Sequence, residues 1–127
     1  MGYLVDSNVI IDYLAFRFKG DSLSAINNII NQELNISVIT KIEVLGFTSG
    51  VKDLDIKTEQ FVALANLFEL SHDVIDKTIQ IRKKRKIKIA DAIIAATALT
   101  NGLRLLSHNT KDFVGIKGLA VLDPYTL

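Results

Sequence analysis

The sequence predicts an α/β fold with a mostly parallel sheet, on three observations. Short apolar runs such as Tyr3-Leu4-Val5, Ile36-Ser37-Val38-Ile39 and Leu103 to Leu106 have the length of buried strands. Longer segments carrying apolar residues at helical spacing separate them. Turn-forming pairs, Ser49-Gly50 and Asn101-Gly102 among them, punctuate the chain, whose one proline, Pro124, stands near the end. Strands alternating with helices build parallel sheets, and such sheets bind ligands at the carboxyl ends of their strands.

The elements follow in order. Tyr3-Leu4-Val5 is a strand, and Ser7 to Leu14 a helix opening on Asp6 or Ser7. Asp21 to Asn31 places Leu23, Ile26, Ile29 and Ile30 on one helical face, with Asp21 as N-cap. Ile36 to Ile39 is a second strand, and Thr40 begins a helix running to about Phe47. Gly46 to Asp55 is rich in turn residues. Thr58 to Leu67 predicts a helix with Phe61, Leu64, Ala65 and Phe68 along one side, and Phe68-Glu69-Leu70 a brief strand. Ser71 caps a helix bearing Val74, Ile75, Thr78, Ile79 and Arg82. Ala90 to Thr100 is the next helix, closed by Asn101-Gly102. Leu103 to Leu106 is a strand, Asn109 to Phe113 a turn of helix, and Leu119 to Leu122 the last strand.

Composition narrows the class. The 127 residues are one domain's worth, read as a single unit over 1–127, and 49% hydrophobic with 23% charged residues is ordinary for a folded protein. Fifteen Lys and Arg against 14 Asp and Glu leave +1, which by itself argues for no partner. The lack of cysteine excludes disulfides and thiolate zinc sites. The N-terminus lacks the basic region of a signal peptide, and the longest uncharged apolar stretch, Ala92 to Leu103, is too short to span a bilayer. A cytoplasmic protein without a membrane partner is expected.

Four acids stand in the connections after strands or in the first turn of a following helix: Asp6, Glu43, Asp91 and Asp112. Each has a structural reading. Asp6 caps the helix after it; Thr40-Lys41-Ile42-Glu43 fits a capping box; Asn109-Thr110-Lys111-Asp112 admits a similar role. Asp91 is harder to explain so. Its window, Ile-Ala-Asp-Ala-Ile-Ile-Ala-Ala-Thr-Ala-Leu, is apolar on every side, and an uncompensated carboxylate there costs on the order of several kcal/mol. Acids gathered in one crevice raise each other's pKa values, and a hard divalent cation reverses that penalty. Carboxylates without cysteine or clustered histidine suit Mg²⁺ or Mn²⁺ and phosphodiester hydrolysis.

Taken together these segments resemble the PIN-domain ribonucleases, in particular the VapC-type toxins of toxin–antitoxin pairs. The matching stretches are Leu4-Val5-Asp6-Ser7-Asn8-Val9, Ile39-Thr40-Lys41-Ile42-Glu43-Val44, Ile89-Ala90-Asp91-Ala92-Ile93-Ile94-Ala95-Ala96-Thr97-Ala98 and Leu106-Ser107-His108-Asn109-Thr110-Lys111-Asp112-Phe113. The resemblance implies a three-layer α/β/α domain around a parallel sheet of about five strands. It implies metal-dependent cleavage of RNA leaving a 5′-phosphate and a 3′-hydroxyl, a VapB-like antitoxin partner, and a homodimer. On it Asp6, Glu43 and Asp91 match the three core acids and metal ligands. Asp112 matches the fourth, although some relatives place that acid at the position of Asn109. Ser7, Asn8, Ser107 and Asn109 are then the groups that orient acids or water.

Arg82-Lys83-Lys84-Arg85-Lys86-Ile87-Lys88 holds six of the fifteen basic residues. It reads either as a solvated helix end whose cations suit the dipole or as a phosphate-contacting patch, with Arg82, Lys84 and Arg85 as RNA ligands. His72 and His108 read as surface or locally bonded residues. Phe16, Phe18, Phe61 and Phe68 read as core or partner-facing, and Ile10, Ile11, Leu14 and Phe18 serve core or antitoxin contact. Asp12, Asp53, Asp55 and Asp73 read as solvated or capping. A receiver-type signalling domain needs two adjacent acids after the first strand, which this chain lacks, and an Asp-x-Asp phosphatase is disfavoured by Asn8. The remaining alternatives are a PIN-like domain in RNA processing and a catalytically idle binding module.

Overall fold

The computed structural model describes residues 2–127. Its centre is a five-stranded, all-parallel sheet in the order β3-β2-β1-β4-β5, formed by β1 (Tyr3–Val5), β2 (Asn35–Ser37), β3 (Asn66–Phe68), β4 (Arg104–Leu106) and β5 (Val121–Leu122). Six helices complete it: α1 (Ser7–Leu14), α2 (Gly20–Gln32), α3 (Val38–Gly46), α4 (Lys52–Ala63), α5 (His72–Lys84) and α6 (Ile89–Thr100). Among the described residues no helix is long and apolar enough to cross a membrane.

Strand alternation divides the apolar side chains between two cores. Leu4 and Leu105, paired across β1 and β4, pack with Val74 and Ile81 of α5 and the apolar run Ala92 to Ala98 of α6. One residue on, Val5 and Leu106 face the other side and pack with Val9 and Ile10 of α1, Ile26 of α2, Val44 of α3 and Val62 of α4. The expected three-layer α/β/α sandwich is therefore present. Full burial of each such aliphatic side chain is worth roughly 1.5–3 kcal/mol, so the central strands are anchored from both faces. Buried Asn35 adds a polar lock: its Nδ2 donates to Tyr3 O at 3.0 Å, and its Oδ1 accepts from Asn66 Nδ2 at 3.1 Å.

Several boundaries differ from expectation. The second strand stops at Ser37, because Ser37 turns the chain into α3 and its hydroxyl accepts the Thr40 N–H at 3.0 Å. Val38 and Ile39, which read as strand, form the first helical turn. Glu43 thus lies beyond that turn, and the capping box starting at Thr40 does not form. The cap of α2 is Lys19, without a side-chain bond, and Asp21 falls inside the first turn, where the helix dipole favours it. The helix expected from Thr58 starts already at Lys52 and ends at Ala63, which shifts the third strand forward to Asn66–Phe68 and leaves Leu64 exposed. Ser71 caps α5 as expected, accepting the Val74 N–H at 3.2 Å. Gly102, at φ +64°, takes the left-handed conformation that closes α6. Phe18 is core, whereas Phe16 is exposed and sits at φ +59°, a costly conformation for an aromatic residue.

Candidate active site

The chain runs from β1 toward β2 on one side of the sheet and reaches β4 only later, on the other side of β1. This is the switch point where parallel sheets open a crevice at their carboxyl ends. Asp6 follows β1 directly and Ser107 follows β4, so both are delivered there by the two central strands. The Asp6 N–H donates to Leu106 O at 3.0 Å, which extends the pairing to the acid itself.

Asp6 is 4% exposed, and its carboxylate is held from several directions. The Ser107 hydroxyl donates to Oδ2 at 2.8 Å, Asn8 Nδ2 donates to the same oxygen at 3.1 Å, and the Ser7 N–H donates to Oδ1 at 2.8 Å. Asn8 Nδ2 also reaches Ser107 Oγ at 3.2 Å, and Asn8 Oδ1 accepts the His108 N–H at 3.0 Å. The Asn109 N–H donates to Ser107 Oγ at 3.1 Å. Asp6 does stand at the N-cap of α1, but it accepts only the adjacent Ser7 N–H there. Its second oxygen is occupied by the β4 side. Ser7, Asn8, Ser107 and Asn109 thus form one bonded frame around the first acid.

The Ser7 hydroxyl continues the frame to Glu43, donating to Oε1 at 3.1 Å. Glu43 is on the exposed side of α3, free of the capping role its sequence suggested. Asp91 lies half-buried in the first turn of α6, which follows α5 and not a strand, so it enters the crevice from the helical layer. Asp112 is exposed on a 3-10 turn, Thr110–Asp112, after β4.

These acids sense one another. Burial pushes the Asp6 carboxyl above its ordinary range, against the opposing bonds from Ser107, Ser7 and Asn8. Burial also raises Glu43, and the negative charges of Asp6 and Asp91 raise it further. Asp91 is raised by burial, then by Asp112 and Asp6, with Lys88 acting in the opposite direction. Glu43 thus feels Asp6 and Asp91, and Asp91 feels Asp112 and Asp6, which disfavours ionising these neighbours together. Among the described residues, no three Asp, Glu or His side chains stand close enough to hold a metal ion as they are placed.

The basic run divides. Arg82, Arg85, Lys86 and Lys88 line a cavity of roughly 420 Å³ together with Asp91, Asp112 and Lys111. Lys84 faces a neighbouring cavity instead. Arg85 Nη1 donates to Val114 O at 2.6 Å, and its Nη2 reaches Asp112 O at 3.4 Å, so it fastens the loop that presents the fourth acid. That tethering role, and the contributions of Lys88 and Lys111 to the cavity, have no signature in the sequence beyond proximity to acids. His108 is locally bonded as expected, its Nδ1 lying 3.0 Å from Asp123 Oδ1. Asp12, expected to be solvated or capping, accepts the Tyr125 hydroxyl at 2.7 Å.

Fold and site together define a parallel α/β domain with an acid-lined crevice at its switch point. The PIN-domain family model matches residues 3–119, and the chain belongs to that family. Comparison with curated proteins finds no match. Among solved structures, a toxin–antitoxin complex from Klebsiella pneumoniae is 30% identical, with 98% of each chain covered and a TM-score of 0.75. DNA-bound VapBC from Salmonella typhimurium is similar in fold at 21% identity, 98% coverage of both chains and a TM-score of 0.80. FitAcB from Neisseria gonorrhoeae is likewise similar in fold, at 23% identity and a TM-score of 0.78, covering 98% of this chain and 99% of that one.

Proposed function

We propose that this chain is a metal-dependent endoribonuclease, the toxin of a VapBC-type pair, acting in the cytoplasm. The observation carrying the reading is the bonded frame at the β1–β4 switch point that holds Asp6 and ties Glu43 to it through Ser7, beside a cation-rimmed cavity containing Asp91 and Asp112. Hard oxygen donors suit Mg²⁺ or Mn²⁺, and a cation relieves the burial and repulsion that raise these carboxyls. Asp6, Glu43, Asp91 and Asp112 would hold it. When bound, such an ion supplies polarisation of a phosphoryl oxygen and a lowered pKa of water.

The chain's own groups do the rest. Ser107, Asn8 and Ser7 fix Asp6, and Ser7 ties Glu43 to the same frame. Arg82, Lys88 and Lys111 line the cavity that also holds Asp91 and Asp112, placing positive charge where a phosphodiester would enter. Hydrolysis leaves a 5′-phosphate and a 3′-hydroxyl.

An antitoxin partner is supported by a second feature. Leu14, Phe16, Phe18, Val51 and Leu54 line an open cavity of roughly 570 Å³ between the α1–α2 connection and α4, with Phe16 81% exposed. The Klebsiella pneumoniae relative is itself a toxin–antitoxin complex. Exposed Ile75 and Ile79, one turn apart on α5, supply an apolar face for a homodimer.

The test is cleavage of single-stranded RNA by the purified chain with Mg²⁺ or Mn²⁺, followed by mapping of the ends. Asp6→Asn and Asp91→Asn are expected to lose about 100-fold or more, the scale of several kcal/mol of transition-state stabilisation. Cleavage that survives both substitutions rejects the site.

A further inference from the structure

The cavity that receives Lys84 lies next to the acid crevice but belongs to neither the acids nor the apolar partner face. It measures roughly 450 Å³. Lys77, Lys84, Arg85, Lys86 and Lys117 line it, and no carboxylate does. Ile81 and Ile116, both nearly buried, form an apolar floor with exposed Val114 at the margin.

The helix dipole does not account for this charge. Cations in the last turn of α5 answer its negative end, but Lys77 lies two turns earlier and Lys117 belongs to the segment after Ile116. Lys77 and Lys84, seven residues apart, share one face and lie about 10 Å apart along the axis. Exposed Ile75 and Ile79 occupy the opposite face, so the groove and the apolar stripe do not compete for one partner.

Arg85 and Lys86 line both this groove and the cavity containing Asp91 and Asp112. The two depressions thus meet at one pair of cations. A polyanion held at the acids has a continuous positive path around the end of α5.

We propose that this groove is a second nucleic-acid subsite, which takes the single-stranded RNA flanking the scissile phosphate. Its phosphates lie on Lys77, Lys84, Lys86 and Lys117, and a ribose rests on the Ile81–Ile116 floor. No aromatic side chain lines the groove, so it offers no stacking platform and reads backbone without regard to sequence. Arg85, already bonded to two carbonyls, acts as the wall between the two cavities. The assignment rests on the nuclease reading above, but its test does not need cleavage.

Binding of a labelled RNA dodecamer and a trimer is measured by fluorescence anisotropy in EDTA across a salt series. The triple variant Lys77→Gln, Lys84→Gln, Lys117→Gln is expected to flatten the dodecamer's log–log salt slope by about 2, on the order of 0.7 for each lost lysine. The trimer, with fewer phosphates than the groove has lysines, shows a smaller change in slope. The single exposed-site variants Lys84→Gln and Lys117→Gln each flatten the dodecamer slope by about 0.7 and guard against misfolding of the triple. An unchanged dodecamer slope, or equal loss for both oligomers, overturns the groove. The dodecamer pattern without any cleavage under Mg²⁺ or Mn²⁺ keeps the groove and rejects the nuclease; cleavage with an unchanged slope does the reverse.

Discussion

Asp6 and Asp112 both act on Asp91 but are held in opposite ways. Asp6 is buried after a central strand, with both oxygens hydrogen-bonded to side chains or backbone of β1–α1 and β4. Asp112 is exposed on a single 3-10 turn, steadied through its main chain, with its N–H donating to Asn109 O at 3.1 Å and its carbonyl accepting from Arg85. The first acid is set by the fold and the fourth by a tether. One end of the site is thus held through the carboxylate itself and the other through the main chain of the turn that carries it. Order of this kind keeps the reacting centre precise without freezing the whole rim.

The sharpest way to break the contrast is at the Asp6 end. Ser107→Ala removes the hydroxyl that donates to Asp6 at 2.8 Å and leaves Asn8 and the Asn109 N–H without their shared acceptor. The expected cost is about 1–3 kcal/mol of stability, read by denaturant unfolding, with a fall in cleavage of roughly 10–100-fold. Loss of that bond pushes the Asp6 carboxyl higher still, so the acid limb of the pH–rate profile moves to higher pH.

At the Asp112 end the expected effects are smaller. Arg85→Gln frees the loop at Asp112 and Val114, and cleavage should fall about 5–10-fold, around 1 kcal/mol, with little change in melting temperature. Arg85→Lys should not restore it, since one ammonium cannot reproduce the forked contact to two carbonyls. Equal losses for Ser107→Ala and Arg85→Gln would erase the distinction between the two ends.

The smallest effect is on stability. Asp91 titrates above the ordinary carboxylate range through burial and the charges of Asp112 and Asp6. The folded metal-free protein therefore binds this proton more tightly than the unfolded chain does. Its contribution is fully present below the ordinary carboxylate pKa and is lost as pH rises through the raised value. Asp91→Asn should accordingly raise the metal-free melting temperature at neutral pH by roughly 1–4 °C, a shift kept small by solvent screening, and by nothing at low pH. A melting temperature that drops at neutral pH would contradict the repulsion.

What the sequence disclosed follows from what local pattern encodes. Strand and helix periodicity place all four acids after strands or in a first helical turn, which holds for Asp6 after β1, Asp91 in α6 and Asp112 after β4. Glu43 also fits a capping box from Thr40, because Ser37 and Thr40 stand three apart and either could begin a helix. Burial decided for Ser37, whose strand neighbours pair on both sides, and so Glu43 was released to meet Ser7. Arg85 was legible only as one cation in a basic run. Its bonds are to main-chain carbonyls, which every residue has, so no side-chain pattern announces the partner. The division of that run between two cavities depends on which helical face each lysine occupies against a loop thirty residues on, a tertiary fact.

The measurement that tests the central claim most directly is a calorimetric titration of Mn²⁺ into the purified chain and into Asp6→Asn and Asp91→Asn. Saturable binding to the wild type, lost or greatly weakened in both variants although they lie on different elements, is the result expected of one shared cation centre. Binding that persists undiminished in either variant, or none in the wild type, would contradict it.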